Sequence, residues 1–417
     1  MHHQIVIIGG GTGGIMVAAQ ILKSNSKLDV AIIEPSETHV YQPAWTLVGA
    51  GTYDFEKTKR PEKDQIPSGA KWIKDWAEDI IPESNSIKLR SGDTVTYDYL
   101  VASPGIQINP DGIPGLKEAL DKGNVCSNYT DPQHTWDVLQ KFKGGNAVFT
   151  QPTTPIKCGG APQKIAYLAA DYFKKNNIDA NVIFATPGSV IFGVKDFADT
   201  LMQVIYKYGI HLKTFYAPKS IDAENNIIHF SWAKPGDNDC IVNEGNVINE
   251  EKIGDLDISM PYDMLHLAPP QSAPDFIKNS KIAHQDGPSK GWINVNINTL
   301  QHNEYPNVFA LGDSAALPTA KTGAAIRKQA PVVAQNLLHL IESQKLSNSK
   351  YEGYSSCPLV TGYGKMVLAE FKYNNVRDSD PFLSKFVDTA KENWSMWMLK
   401  KYGLPYLYWN QMMKGKM

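Results

Sequence analysis

Cysteine side chains are the first candidates for chemistry in this chain of 417 residues, which contains four of them. Cys158 and Cys357 lie far apart in sequence, and neither belongs to a C-x-x-C pair, the usual redox dithiol. Lys157 precedes Cys158, and its charge would favour the reactive thiolate. Turn residues surround Cys357, whereas a buried structural cysteine more often lies inside an apolar strand or helix. The residues alone leave both a redox and a structural role open.

Cys126 and Cys240 lie in polar connecting segments, and we expect them to be surface or structural thiols. Four cysteines are too few for a disulfide scaffold, and they do not have the spacing of a zinc site. We therefore expect no bound metal. The net charge of -2 provides no general basic field for nucleic acid.

The first fifteen residues predict the element that would hold a redox cofactor beside such thiols. An apolar strand over 4–8 ends at Gly9-x-Gly11-x-x-Gly14, and a buried helix follows. In this motif the first glycine makes the turn, the second admits a pyrophosphate and the third lets the helix pack on the strand. The pyrophosphate lies at the positive end of the helix dipole. The spacing predicts a dinucleotide site; the alternative is a glycine-rich turn that binds nothing.

Two acidic residues at strand ends narrow the dinucleotide to FAD. Glu34 ends the second apolar strand, about twenty residues after Gly14, where a carboxylate accepts hydrogen bonds from ribose hydroxyls and disfavours a 2′-phosphate. Another apolar strand, over 305–311, ends at Gly312-Asp313. In flavoproteins with two dinucleotide domains an Asp so placed binds the ribityl hydroxyls of FAD. NAD has no ribityl chain, so Asp313 favours FAD; an ordinary strand exit is the alternative.

A second β-α-β pattern follows, but its loop does not fit a nicotinamide dinucleotide. Strands are predicted over 146–150 and 181–185, with an amphipathic helix over 163–173. The turn between the first strand and the helix should contain a glycine fingerprint, and it contains prolines, Lys157 and Cys158 instead. This domain therefore has the topology for NAD(P)H without the loop that holds its pyrophosphate. Cys158 lies at the position where the nicotinamide of such a dinucleotide would bind.

The order of these patterns predicts an α/β fold with two Rossmann-like domains. We expect a discontinuous FAD-binding domain over 1–110 and 270–345, and a second domain over 111–269 that lacks the nucleotide glycine loop. A C-terminal region over 346–417 would follow. Within the second domain, residues 264–270 are interpreted as a crossover back to the first domain.

The segment after Phe382 has the composition of a membrane interface, with aromatic, Met and Leu side chains interleaved with lysines. The alternative is a helix packed on the domain core or a dimer interface. No apolar run reaches roughly 18 residues, so no single helix is expected to span a bilayer. The chain enters its first strand by residue 4, so we expect no signal peptide and a peripheral location at the cytoplasmic face of a membrane.

Three segments resemble sulfide:quinone oxidoreductases, most closely the branch that includes the mitochondrial enzyme. They span 41–51, 156–164 and 354–363, and the similarity extends to 407–410. The resemblance implies a glutathione-reductase-like FAD fold with a C-terminal amphipathic helical segment that docks on a membrane. It further implies that electrons pass from hydrogen sulfide through FAD to a membrane quinone.

The resemblance also implies roles for individual residues. Cys158 and Cys357 would be the redox pair, joined at rest by a disulfide or a bridging sulfur. Sulfide would leave a persulfide on Cys158, Cys357 would form an adduct with the flavin, and a small acceptor such as sulfide, glutathione or sulfite would remove the sulfur. The FAD contacts expected from the motifs and the resemblance together are Gly9, Gly11, Thr12, Gly13, Gly14, Glu34, Gln42, Ala77, Gly105, Gly312 and Asp313.

Several alternatives stay beside this interpretation. Cys126 and His134 lie near positions used in bacterial relatives, but a lone histidine on a helix is more often solvated or packed, and we leave both out of the site. A type II NADH:quinone dehydrogenase has the same fold; the missing second glycine loop argues against it. A flavocytochrome c sulfide dehydrogenase should carry an export signal, and none is visible. A non-enzymatic flavin-binding scaffold and a homo-oligomer also remain open.

Overall fold

The computed structural model describes residues 1–120, 122–233 and 246–417. Cys240 lies outside these residues, together with the rest of 234–245. The described residues form one mixed sheet with a parallel core and one parallel sheet, with helices packed on them, together with smaller antiparallel sheets and a C-terminal segment of short helices. The predicted α/β fold is confirmed.

The first sheet has the glycine loop at the carboxyl edge of its central strand. His2–Ile8 pairs in parallel with Val30–Ile33 on one side and with Thr94–Ala102 on the other. Val308–Ala310 adds a further parallel strand. Because these strands run in one direction, the residues that follow them meet at one edge. In order, the sheet contains Ala70–Ile73, Val30–Ile33, His2–Ile8, Thr94–Ala102, Ser86–Leu89 and Ala77–Ile81, with Val308–Ala310 also paired to Thr94–Ala102.

The second sheet is parallel throughout and contains both strands predicted for it, as Gly145–Thr150 and Ala180–Thr186. The crossover predicted over 264–270 is wrong, because Met264–Leu267 is a buried strand of this sheet. Its apolar run is short enough to suit either a connection or a strand covered on both faces. In order, the sheet contains Val125–Cys126, Met264–Leu267, Gly145–Thr150, Ala180–Thr186 and His211–Thr214.

Cys126 lies in the edge strand Val125–Cys126 and is fully buried, so the prediction of a polar connecting segment is wrong. Burial raises the pKa of its thiol to about 12, which makes it an unreactive structural thiol. His134, on the helix Pro132–Lys141, contacts the carbonyl of Val125 through its Nε2 at 3.0 Å and therefore packs the helix against this strand.

The helices predicted after the glycine loop and over 163–173 are confirmed, as Thr12–Ser24 and Ala161–Lys175. Two other helices begin with side-chain caps. Asp131 accepts from the backbone of Gln133 and His134 at the start of Pro132–Lys141. Thr322 caps the long helix Gly323–Ser343 by accepting from the backbone N–H of Ala325. The remaining helices of four or more residues are Thr12–Ser24, Trp45–Val48, Leu116–Leu120, Ala161–Lys175, Lys195–Tyr208, Asp275–Lys278, Trp394–Met398 and Leu404–Asn410.

Cys357 lies inside the strand Ser355–Gly362, so the loop predicted around it is wrong. This strand pairs with Lys365–Lys372, and the turn residues form the connection between the two. It packs on the helix Ala161–Lys175. The other antiparallel strands are Thr38–Val40 with Lys59–Pro61, Gln107–Ile108 with Gln271–Ser272, Val376–Arg377 beside Lys365–Lys372, and the sheet of Tyr216–Asp222, Ile227–Trp232, Asp257–Pro261 and Glu251–Lys252.

The C-terminal segment is built from short helices rather than one long helix. A π-helical turn, Leu399–Gly403, joins Trp394–Met398 to Leu404–Asn410. None of the helices in the described part of the chain combines the length and apolarity needed to cross a membrane. The predicted division at residues 110, 270 and 345 stays a prediction, although the short pair Gln107–Ile108 and Gln271–Ser272 lies near two of these boundaries.

Candidate active site

Cys158 and Cys357 are brought together by two elements that pack on each other. Cys158 lies in the turn before the helix Ala161–Lys175, and Cys357 lies on the strand Ser355–Gly362. Their Sγ atoms are 3.8 Å apart. Since two S–S bonds of about 2.05 Å each span at most about 4 Å, one bridging sulfur can join them, and a small side-chain rotation allows a direct disulfide.

The backbone around Cys158 is held in an unusual conformation. Its φ of +53° lies in the left-handed region, which is rare for residues other than glycine and is often found at functional sites. Its N–H donates to the carbonyl of Lys321 at 2.7 Å. Gly160 must be a glycine, because an added Cβ would lie 2.6 Å from the Sγ of Cys357. The turn is therefore shaped to keep the two sulfurs in contact.

Lys164 provides the positive charge beside Cys158, and this role was not predicted from the sequence. Its buried Nζ donates to the Sγ of Cys158 at 2.9 Å. The hydrogen bond from Cys357, together with the charge of Lys164, holds the pKa of Cys158 well below its usual range. The hydrogen bond to Cys158 and burial raise the pKa of Cys357. Cys158 is therefore the thiolate of the pair and Cys357 the thiol.

Lys157 has a different role from the one predicted. Its Nζ hydrogen-bonds the Oε1 of Gln42, away from the thiols, and burial lowers its pKa while the charge of Asp313 opposes that shift. A signal for Lys164 existed in the sequence, because a helix predicted to start near residue 163 places its first-turn side chains beside the loop that precedes it.

Lys400 reaches the same site from the C-terminal segment. It is 3% exposed, and its Nζ donates to the carbonyl of Pro43 at 2.7 Å. Burial, and then the nearby charge of Lys164, lower the pKa of Lys400 to about 7. The segment expected to contact the membrane thus contributes a titratable cation next to the cysteines. Nothing in the local sequence indicates this contact.

The glycine loop has the geometry of a dinucleotide site. Gly9 has φ +100°, and an added Cβ would lie 2.3 Å from the carbonyl oxygen of Ser103. A Cβ on Gly14 would lie 1.9 Å from the carbonyl oxygen of Gly9, and one on Gly13 would lie 2.3 Å from the Oγ of Ser103. Gly11 faces open space. The loop therefore packs tightly on the sheet and leaves its outer backbone free to approach a ligand at the helix N-terminus.

Glu34 is tied directly to this loop. Its Oε2 accepts from the backbone N–H of Gly10 at 2.7 Å, and its Oε1 accepts from that of Ser36 at 2.7 Å. Burial raises its pKa. Each carboxylate oxygen retains a further lone pair. The position of Glu34 at the end of Val30–Ile33 therefore fits the ribose contact expected of it.

Asp313 lies across the same edge of the sheet, in the short turn Gly312–Ser314. A small recess opens beside it, lined also by the start of the helix Gly323–Ser343. Lys321 closes one side: its Nζ donates to the carbonyl of Asp313 at 2.6 Å, and burial lowers its pKa to about 8. The carbonyl of Lys321 accepts from Cys158, so the recess and the cysteines share a wall.

These groups fit FAD. They comprise an open loop at a helix N-terminus, carboxylates at two strand ends and a recess lined by Lys321, whose carbonyl accepts from the N–H of Cys158. Gly105 has φ +77° and open space on its Cα, as expected of backbone beside a ligand. Ala77 is buried in the strand Ala77–Ile81, and its backbone contact with FAD stays a prediction.

Comparison with known proteins places this geometry in a family. Residues 3–336 match the family described as pyridine nucleotide-disulphide oxidoreductase. The chain is 40% identical to the mitochondrial sulfide:quinone oxidoreductase of Mus musculus over 99% of this chain and 87% of that protein. It is 41% identical to the Dictyostelium discoideum protein of the same name, over 99% of this chain and 86% of the other.

The solved structure of sulfide:quinone oxidoreductase from Aquifex aeolicus superposes with a TM-score of 0.76 at 20% identity, covering 99% of this chain and 92% of that one. At this identity the likeness shows the fold alone. NAD(P)H-ubiquinone oxidoreductases are more distant relatives, which disfavours the dehydrogenase alternative. The chain therefore belongs to the sulfide:quinone oxidoreductases of the pyridine nucleotide-disulphide oxidoreductase family, FAD-dependent enzymes that oxidise sulfide and reduce a quinone.

Proposed function

We propose that this chain oxidises sulfide at Cys158 and Cys357, and that their Sγ–Sγ separation of 3.8 Å carries the assignment. When the two sulfurs are bonded directly, hydrosulfide attacks the Sγ of Cys158, which is the partly exposed member of the pair. A bond forms between the incoming sulfur and Cys158, the bond to Cys357 breaks, and Cys357 leaves with the electron pair. The product is a persulfide on Cys158.

A second sulfur nucleophile then attacks the outer sulfur of this persulfide. A new S–S bond forms on the acceptor, and Cys158 leaves as a thiolate. A low thiol pKa makes a good leaving group, and Lys164 stabilises the charge that remains on Cys158. We expect the acceptor to be a small anionic sulfur species such as sulfide, glutathione or sulfite, drawn by the cations Lys164 and Lys400.

Rejoining of the two thiolates releases two electrons. FAD held at the glycine loop would supply the two-electron acceptor for this step and the donor to the quinone. The residues proposed to hold FAD are the loop Gly9–Gly14 with Thr12 at the pyrophosphate, Glu34 at the ribose, and Asp313 with Gly312 at the ribityl chain. The helix Gly323–Ser343 directs its positive end at the recess beside Asp313, where it would stabilise negative charge on reduction.

The C-terminal segment has the composition and exposure of a surface that docks on a membrane. One side is buried and includes Tyr408, Trp409 and Met413. The other side is exposed. A helix that only packed on the domain core would not need exposed aromatic side chains there. We define the docking face as Phe382, Phe386, Trp394, Tyr402 and Tyr406, all of which are more than half exposed.

We place the protein on a membrane surface through this face, with the quinone entering beside it. The expected cytoplasmic side and a homo-oligomeric state stay predictions. Steady-state quinone reduction with sulfide tests the cysteine assignment. Cys158→Ser and Cys357→Ser should each lose at least about a hundredfold in turnover while keeping FAD. Cys126→Ala, which alters a buried thiol outside the site, should retain turnover; substantial turnover in either serine variant would refute the assignment.

A further inference from the structure

The hydroxyl of Tyr408 lies between the glycine loop and the buried pair His39 and Glu62. It is 2.8 Å from the Oγ1 of Thr12 and 2.6 Å from the Nε2 of His39. The Nδ1 of His39 is 3.1 Å from the Oε2 of Glu62. Tyr408, His39 and Glu62 are each at most 3% exposed. A continuous hydrogen-bonded chain therefore runs from the C-terminal helix to the first residue of the helix that follows the glycine loop.

Glu62, at the end of this series of hydrogen bonds, limits which groups in it can donate. A Glu62 carboxylate can only accept, so the Nδ1 of His39 donates. With a neutral His39, Tyr408 donates to the Nε2 and accepts from Thr12. With a protonated His39, the Nε2 donates to Tyr408, and Tyr408 donates to Thr12. In both arrangements the hydroxyl of Tyr408 fixes where the Oγ1 of Thr12 lies.

The chain lies directly against the nucleotide loop. A Cβ added at Gly10 would be 2.7 Å from the Oε1 of Glu62. This oxygen is buried and has no hydrogen-bond partner among the residues that the structure describes. A buried carboxylate oxygen without a hydrogen-bond partner lowers the free energy of unfolding. The hydrogen-bonded residues Tyr408, His39 and Glu62 therefore lie next to the nucleotide loop and do not form a remote packing contact.

The ring of Tyr408 is held independently of its hydroxyl. It packs against Tyr41 at a centroid distance of 4.6 Å and against Trp409 at 4.9 Å. Farther along the chain, the carbonyl of Met417 accepts from the Nε2 of Gln20, on the helix Thr12–Ser24, at 2.6 Å. Removing the hydroxyl alone would therefore leave the packing of the C-terminal segment in place and affect only the hydrogen bonds.

We propose that Tyr408 is a positioning residue for FAD, which holds the side chain of Thr12 beside the pyrophosphate. The inference rests on the proposed placement of FAD at the glycine loop. It gives the two sides of the C-terminal helix different roles. Tyr406 on the exposed side belongs to the docking face, whereas Tyr408 on the buried side acts on the cofactor.

The rate at which FAD leaves the holoenzyme, followed by flavin fluorescence after dilution, tests this inference. Tyr408→Phe removes the hydrogen bond to the buried Nε2 of His39 and the one that positions the half-buried Oγ1 of Thr12, so FAD should leave about tenfold faster. Tyr406→Phe, two residues away and exposed, should release FAD at the wild-type rate. A wild-type rate for Tyr408→Phe would overturn the inference.

A double-variant cycle separates positioning from general loosening of the helix. If Tyr408 acts through Thr12, then Thr12→Val with Tyr408→Phe should release FAD at the rate of Thr12→Val alone. If Tyr408→Phe speeds FAD release by the same factor in the Thr12→Val protein as in the wild-type protein, the inference is overturned. Asp313→Ala tests the placement of FAD separately. If Asp313→Ala releases FAD faster and Tyr408→Phe releases it at the wild-type rate, only the role of Tyr408 is rejected. If both variants release FAD at the wild-type rate, the placement of FAD is rejected as well.

Discussion

The Nζ of Lys164 lies 2.9 Å from the Sγ of Cys158, and both groups are held by the same turn and helix. Although burial opposes it, the charge of Cys158 raises the pKa of Lys164. Each group thus stabilises the charged form of the other. Breaking such a buried pair leaves one charge uncompensated, which is strongly unfavourable.

Lys164→Met should therefore move the pKa of Cys158 upward. In the reduced enzyme, the wild-type thiolate persists well below the usual thiol pKa, so its alkylation by iodoacetamide should stay fast as the pH falls to neutral. In the variant, the midpoint of the rate–pH curve should rise by about one unit or more, and turnover at pH 7 should fall about tenfold or more. Peptide mass spectrometry assigns the label to Cys158. Lys174→Met, exposed on the same helix, is the control, and an unchanged midpoint in Lys164→Met would contradict the account.

Lys400 should make stability depend on pH. Its pKa in the folded protein is lowered to about 7, below the value near 10.4 of the unfolded chain. The unfolded state therefore binds more protons between these values, and the free energy of unfolding should rise as the pH increases through this range. Relative to Lys400→Met, the wild-type protein should gain about 2 kcal/mol between pH 7 and pH 9. Denaturant unfolding at both pH values measures this; parallel changes in the two proteins would show that Lys400 does not titrate as expected.

Asp313→Ala should weaken retention of FAD. Its carboxylate is the acceptor proposed for the ribityl hydroxyls, and losing a charged hydrogen-bond partner costs about 1.5–3 kcal/mol, or about tenfold or more in affinity. The ratio of flavin to protein after extensive dialysis gives the result. Asp93→Ala, in an exposed turn, should keep full occupancy. Full occupancy in Asp313→Ala would remove Asp313 from the site.

Substitutions on the docking face should release the protein from lipid vesicles. Phe386→Ser combined with Trp394→Ser removes two aromatic side chains that are more than half exposed. Binding should fall at least about a hundredfold, because each side chain contributes about 1.5 kcal/mol or more when buried. Sedimentation with vesicles measures the bound fraction. Tyr206→Ser, which is equally exposed on a helix of the second sheet, is the matched control. Equal binding of both proteins would contradict docking through this face.

Deleting the whole C-terminal segment would not test membrane docking alone. The segment supplies Lys400 to the cysteine site, and Tyr408 with Trp409 packs against the glycine-loop helix. Its loss would disturb the cofactor site and the core together with membrane binding. Single substitutions on the exposed side avoid this.

Local patterns predicted the elements that local sequence determines. The strand, glycine loop and helix at residues 4–24 were predictable, because turn chemistry and apolar periodicity lie within one short segment. The strands Met264–Leu267 and Ser355–Gly362 were not, because short apolar runs flanked by turn residues suit a connection as well as a buried strand. Their pairing partners decide the outcome, and those lie elsewhere in the chain.

The chemistry of the site was only partly predictable for the same reason. The spacing of Cys158 and Cys357 carries no sign that they meet, and the resemblance to a family supplied that expectation. Lys400 and Tyr408 reach the site from the far end of the chain through tertiary packing. Lys164 was the exception, since its position in the first turn of a predicted helix was available from the sequence.

Anaerobic visible spectroscopy of the purified holoenzyme tests the central claim most directly. Sulfide should bleach the flavin of the wild-type protein, and a quinone analogue should restore it, whereas the flavin of Cys158→Ser and Cys357→Ser should not respond to sulfide. NADH should leave the wild-type spectrum unchanged. Bleaching of either serine variant by sulfide, at the wild-type rate, would contradict the account by showing that electrons reach FAD without the cysteine pair.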